Sequence, residues 1–218
     1  MYKIVTILNL IFALCVCEQL IGQIKPDFII DENIKEEVER NISDSLFGEE
    51  IATELFLLYE NKIIVDYYEK DSLVMTTKNR QDKMPFRSFF YVRGDTISID
   101  GVYGLFGGFG FSIKFIDKKP IIYHLLAGDD FPEYSKTKEG KLEYRIEVPC
   151  SNSSLILSRI PELNEEIIYG LVEFNSEKYY QIMETYEEGE SETDQRNEIR
   201  VNMKIYFKSK YIDLGKMK

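Results

Sequence analysis

Ile199-Arg-Val-Asn-Met-Lys-Ile-Tyr-Phe207 sets apolar Ile199, Val201, Met203, Ile205 and Phe207 against polar Arg200, Asn202 and Lys204, and Lys208 continues the wet side. Side chains alternate across a strand, so this period of two predicts one face on a core and the other in water. Upstream, Leu142, Tyr144, Ile146 and Val148 alternate with Glu143, Arg145 and Glu147 in the same way. Clean alternation in strands joined by short turns belongs to antiparallel sheets.

Turn residues divide the rest of the C-terminal region into further strands. Arg87–Arg93 and Thr96–Asp100 flank Gly94-Asp95, and Phe111–Ile116 and Ile121–Ala127 flank Asp117-Lys-Lys-Pro120, so each pair reads as a hairpin. Strands are also expected at Ser154–Ser158, Glu166–Phe174 and Lys178–Tyr186, with a turn at Asn175-Ser-Glu177. Strands 8 to 15 residues apart with no helices between them argue for a sandwich or barrel and against a βαβ architecture. The spacing has no fixed period, which argues against propellers and solenoids.

One helix precedes these strands. Ile34, Val38, Ile42 and Leu46 recur every four residues, which lines them along one face of a helix from Asp31 to Leu46, with Asp31 as N-cap and Gly48 as stop. Ile51–Tyr68 is compatible with continued helix or with a hairpin of Leu55–Tyr59 and Lys62–Tyr68 turning at Glu60-Asn61; the Ile63-Ile-Val65 run favours strand in its second half. The expected fold is therefore mainly β, an antiparallel β-sandwich or barrel-like domain with one N-terminal amphipathic helix. Residues 23–84 supply the helix and first hairpin of that domain, and 85–218 its antiparallel body.

The chain begins with an uncharged, mostly apolar run, Ile4–Cys17, introduced by Lys3 and followed by Glu18 and Gly22-Gln23. This is the layout of a secretory signal peptide over residues 1–22, too short to cross a bilayer as a helix. The expectation is a secreted, periplasmic or cell-envelope protein with no membrane span in the mature chain. Cys15 or Cys17 offers lipid anchoring as an alternative, although Leu14 and Val16 stand where lipoprotein processing wants a small residue. Removing residues 1–22 from the 218-residue chain leaves about 196 residues, enough to bury roughly 70% of the unfolded surface without staples. Only Cys150 survives this processing, so no intrachain disulfide forms. A net charge of -11 with scattered cations argues against nucleic acid and anionic membrane surfaces as partners.

Four features invite a chemical reading. Gly101-Val-Tyr-Gly-Leu-Phe-Gly-Gly-Phe-Gly110 interleaves glycines with Tyr103, Phe106 and Phe109. A strand follows it, with no helix and no Lys-Ser/Thr pair, so phosphate binding is not expected. The three aromatics are the candidate ligand-binding residues if the loop is exposed, and core residues if it is a glycine-kinked turn. His124, the only histidine, and Cys150 lie in surroundings that match no nucleophile motif. Asp129, Asp130 and Glu133 form a small carboxylate group at a strand end, and Glu184–Glu198 is an acidic, glycine-bearing tract that reads as a solvated hairpin loop. The Asp129 group has no EF-hand spacing and calcium capture is only the alternative reading of the acidic tract, so no metal and no cofactor is expected. Asn41-Ile-Ser43 and Asn152-Ser-Ser154 satisfy the glycosylation sequon, which matters only in a eukaryotic secretory pathway.

The expected function is a non-enzymatic binding or interaction module for a protein, glycan or small-molecule ligand. The alternatives are a glycosidase-like hydrolase using Asp129, Asp130 and Glu133, and a β-barrel carrier of an apolar ligand, suggested by the abundant Tyr and Phe.

Overall fold

The computed structural model describes residues 27–42, 58–59, 63–78, 86–104, 107–163, 167–182 and 195–215. In chain order these form β1 (Asp27–Ile30), α1 (Ile34–Asn41), β2 (Leu58–Tyr59), β3 (Ile63–Glu69), β4 (Ser72–Lys78), β5 (Phe86–Arg93), β6 (Thr96–Tyr103), β7 (Gly108–Ile116), β8 (Lys119–Ala127), β9 (Tyr134–Ser135), β10 (Arg145–Leu157), β11 (Ile168–Ser176), β12 (Tyr179–Ile182) and β13 (Arg196–Tyr211). The fold is mainly β with one short helix, as the alternation predicts. Residues 1–22, read above as a signal peptide, Phe106 and residues 184–194 of the acidic tract lie outside the described residues.

The strands close a ring. β5, β6, β7, β8, β10, β11 and β13 are hydrogen-bonded in that order, and β13 returns to β5 through the parallel pairs Lys210↔Phe89 and Tyr211↔Phe90. The Ile212 N–H extends this seam by donating to the Phe90 carbonyl at 2.9 Å, and the Ser88 and Ser209 hydroxyls meet across it. β7 and β13 are not neighbours in the ring, so the Phe111–Phe207 contact, with centroids 4.7 Å apart, crosses its interior. Phe86, Phe90, Ile99, Leu155, Val172 and Val201 join the same buried cluster.

β10 corrects one expectation. The predicted strands at Leu142–Val148 and Ser154–Ser158 are replaced by a single strand, Arg145–Leu157, which pairs with β8 through its first half and with β11 through its second. The partner changes between Pro149 and Cys150, and an irregularity between Ser151 and Ser154, where Asn152 takes φ +45°, falls within the pairing with β11. Tyr144 falls before the strand and is exposed.

The predicted Leu55–Tyr59/Lys62–Tyr68 hairpin is also replaced. Leu58 and Tyr59 pair with β5, while β3 pairs with β13 on one side and β4 on the other. The hairpin that forms is β3–β4, turning on Lys70 (φ +45°) and Asp71 (φ +66°); β7–β8 turns likewise on Asp117 (φ +51°) and Lys118 (φ +62°). Positive φ at both central residues is the twist that two-residue hairpins require.

α1 is shorter than its periodicity suggests, and the N-cap position is Asn33. Asp31 organises the preceding turn instead, its carboxylate accepting from the Asn33 N–H (3.0 Å) and side-chain amide (2.8 Å). Ile34, Val38 and Ile42 are buried against Leu171 of β11 and Tyr206 of β13. The Tyr206 hydroxyl donates to Glu37 at 2.9 Å and ties the helix to the sheet.

Two glycines let β6 and β7 approach. A Cβ added at Gly110 would fall on the Gly101 carbonyl oxygen, and one at Gly101 would enter the Phe111 ring. Backbone cannot move aside as a flexible side-chain end can. Gly110→Ala is expected to lower unfolding free energy by at least ~2 kcal/mol in denaturant melts. Gly94→Asn, at a turn with open space and φ +61°, should cost under ~1 kcal/mol.

Candidate functional site

The aromatic candidates divide. Tyr103, at the end of β6, is 2% exposed, and Phe109, on β7, packs beside it on the core with ring centroids 5.5 Å apart. β6 and β7 pair Tyr103 with Phe109 directly, so the glycine-rich segment is the connection of a hairpin. Gly104 and Gly108, at φ +134° and +137°, supply backbone conformations there that other residues rarely adopt. These two rings contribute to packing rather than to an open face.

The carboxylates at the end of β8 do not converge. Asp129 and Asp130 are exposed, while Glu133 accepts from the Gln181 amide at 3.4 Å. Among the described residues, no group of three or more His, Cys, Asp and Glu could hold a metal ion.

His124 and Cys150 are close in the fold but are not paired as base and nucleophile. The Cys150 thiol donates to the Val148 carbonyl at 3.6 Å, and burial pushes its pKa up, which keeps it a thiol. The His124 Nδ1 lies 2.9 Å from the Gly110 carbonyl oxygen, which can only accept, so Nδ1 carries the proton. Nε2 is buried with no hydrogen-bond partner, beside the rings of Phe174 and Tyr179 at 6.0 and 5.6 Å. Burial lowers the histidine pKa from 6.5 to about 4, because a cation there would have a donor with no acceptor.

The main buried charge is one that strand patterning does not single out. Asp100, midway along β6, is 2% exposed and lies on the face opposite Ile99. It accepts from Ser112 (2.7 Å), Arg145 (3.1 Å) and Tyr91 (3.3 Å), which joins β5, β6, β7 and β10. A buried carboxylate satisfied by three donors is a structural tie. Its signal in the sequence is an acid inside the strand pattern Ile97-Ser-Ile-Asp100, where carboxylates are depleted. Beside it, the Lys114 ammonium pairs with Glu147 and sits 5.0 Å from the centroid of the Tyr123 ring.

What the fold presents to solvent is the β3–β4 hairpin. Among the described residues β4 pairs with β3 alone, and its Leu73, Val74 and Met75 are 55%, 56% and 50% exposed. The register passes from Tyr67↔Met75 to Tyr68↔Leu73, so Val74 has no opposite residue. The turn is braced by charge. Asp71 receives Lys178 (3.1 Å) and Arg200 (3.3 Å), Lys178 also reaches Glu198 (2.7 Å), and Glu198 accepts from Tyr180 (2.9 Å). Lys178, then Arg200, holds the Asp71 carboxyl below its ordinary range; hydrogen bonds from Lys178 and Tyr180 do the same for Glu198. The Arg200 guanidinium lies 3.9 Å from the centroid of the Tyr68 ring. An exposed apolar strand is thus held in a set position. The β-branched and apolar run Leu73-Val-Met-Thr-Thr77 after Lys70-Asp71 carries this signal in the sequence, but without an alternating partner pattern.

No family model, no curated protein and no solved structure matches the chain. Among the described residues, no helix is long and apolar enough to cross a membrane.

The buried histidine has a consequence for pH. The unfolded chain takes up a proton at His124 near pH 6.5, and the folded chain only near pH 4. The unfolded state therefore binds more protons between these values, and stability falls as pH drops through that window, by roughly 3 kcal/mol at 1.36 kcal/mol per pH unit. His124→Phe should flatten this part of the stability profile relative to the parent in urea titrations. An unchanged slope would contradict the assignment.

Proposed function

We propose that this chain is a non-enzymatic binding module of the secreted or cell-envelope class, and that it docks a protein partner on the β3–β4 hairpin. The observation that carries the reading is the run of three consecutive apolar side chains, each at least half exposed, on a strand braced at its turn by Lys178 and Arg200. Interfaces commonly combine an apolar centre with a polar rim; opposite residues share a face, so Leu73 lies on the Tyr68 side of the hairpin and Met75 on the Tyr67 side. The irregularity at Val74 interrupts the regular edge, so side chains rather than added ladder bonds supply the contact.

The alternatives draw less support. Asp129 and Asp130 stand in solvent and Glu133 is engaged by Gln181, which is not the pair across a cleft that glycoside cleavage needs. The ring interior is occupied by Phe111 and Phe207 in mutual contact, where a carrier would hold its ligand.

A displayed peptide library panned on the wild-type chain tests the docking reading. The Leu73→Lys/Val74→Lys double variant should keep its melting midpoint, because both side chains are exposed, and lose at least ~10-fold in affinity for the selected peptides, about 1.4 kcal/mol. Equal binding by the variant would reject the hairpin as the docking surface.

A further inference from the structure

The chain carries two N-glycosylation sequons, Asn41-Ile-Ser43 and Asn152-Ser-Ser154, and the fold treats their asparagines differently. Asn152 is exposed and stands at φ +45° in β10, between the paired positions Ser151↔Asn175 and Ser154↔Glu173. It has no Cα partner in the β11 ladder, so a bulky substituent displaces no ladder bond. Its neighbour Ser153 is 7% exposed, whereas Asn152 is open to solvent.

Asn41 is the last residue of α1 and is half-buried. Its side-chain amide donates to the Glu37 carbonyl at 2.7 Å, and Ile42 beside it is buried in the contact that seats α1 on Leu171 and Tyr206. Presenting Asn41 to a transferase requires that helical turn to open. Asn152 needs no such rearrangement.

We infer that Asn152, and not Asn41, is the N-glycan acceptor of this chain in a secretory pathway that performs this modification. The inference rests on export, as expected from residues 1–22, and is independent of the docking surface. The donor class is an oligosaccharide linked through pyrophosphate to a lipid. The Nδ2 of Asn152 forms a bond to C1 of the first sugar as the C1–O bond to phosphate breaks. The lipid pyrophosphate leaves with the electron pair, and one Nδ2 proton passes to a base of the transferase. The product is a neutral, hydrated substituent on a surface position.

The test expresses the full chain in a eukaryotic secretory host, once with its own leader and once with residues 1–22 replaced by a proven leader. Peptide:N-glycosidase should increase the gel mobility of the secreted protein and leave Asp at position 152 in the recovered peptide. Asn152→Gln and Ser154→Ala should each abolish the shift, the second without altering the residue at φ +45°. Asn41→Gln should leave the shift intact. Protein secreted behind the proven leader with no glycan, or with a glycan on Asn41 alone, overturns the inference. Glycan at Asn152 behind the proven leader, with the native-leader form unmodified inside the cell, supports the acceptor assignment and refutes export by residues 1–22.

Discussion

Closure of the ring through β13 is the constraint on which the rest of the structure depends. A sheet edge leaves backbone donors and acceptors unpaired, and closing the sheet is the only arrangement that removes edges altogether. β13 achieves this because it is sixteen residues long and meets different partners along its length: β12, β3, β11 and finally β5. Its alternation supplies Val201, Ile205 and Phe207 to the core while Lys204 and Lys208 stay on the outer side. A one-residue slip would send every one of these side chains to the wrong face.

The same closure explains which groups are buried and which stay outside. Groups that suggest catalysis in isolation, His124 and Cys150, are drawn into the packed interior, where burial holds them neutral. Asp100 is kept in place by Tyr91, Ser112 and Arg145 and so ties four strands together. β4 lies off the ring and, among the described residues, has one side unpaired. Lys178 and Arg200 pair with Asp71 at the turn that leads into that strand.

The parts of the fold legible in the sequence are those with local physical signatures. The β5–β6 and β7–β8 hairpins are legible in Gly94-Asp95 and Asp117-Lys-Lys-Pro120, because strand pairing across a short turn follows from the turn itself. The buried stripe of α1 was readable from Ile34, Val38 and Ile42. The pairing of β3 with β13 joins residues more than a hundred positions apart, and no local pattern names such a partner. The continuity of β10 is hidden for a similar reason, since no local pattern shows that β8 holds it up to Pro149 and β11 from Cys150 onward. The candidate surface on β4 was hidden because its apolar run signals burial as readily as exposure.

The sequence by itself determined that this is a strand-rich, acidic chain with a short amphipathic helix, because periodicity and charge are properties of neighbouring residues. It also narrowed the chemistry, since one histidine and one cysteine beyond the apolar run Ile4–Cys17 leave few routes to a His/Cys metal site or a nucleophilic dyad. Only the tertiary structure decided that the sheet closes on itself, that Tyr103 is buried and that Leu73, Val74 and Met75 remain outside. Those outcomes depend on which distant strands meet. An apolar side chain has the same affinity for any core, and long-range pairing alone selects which of them reach it.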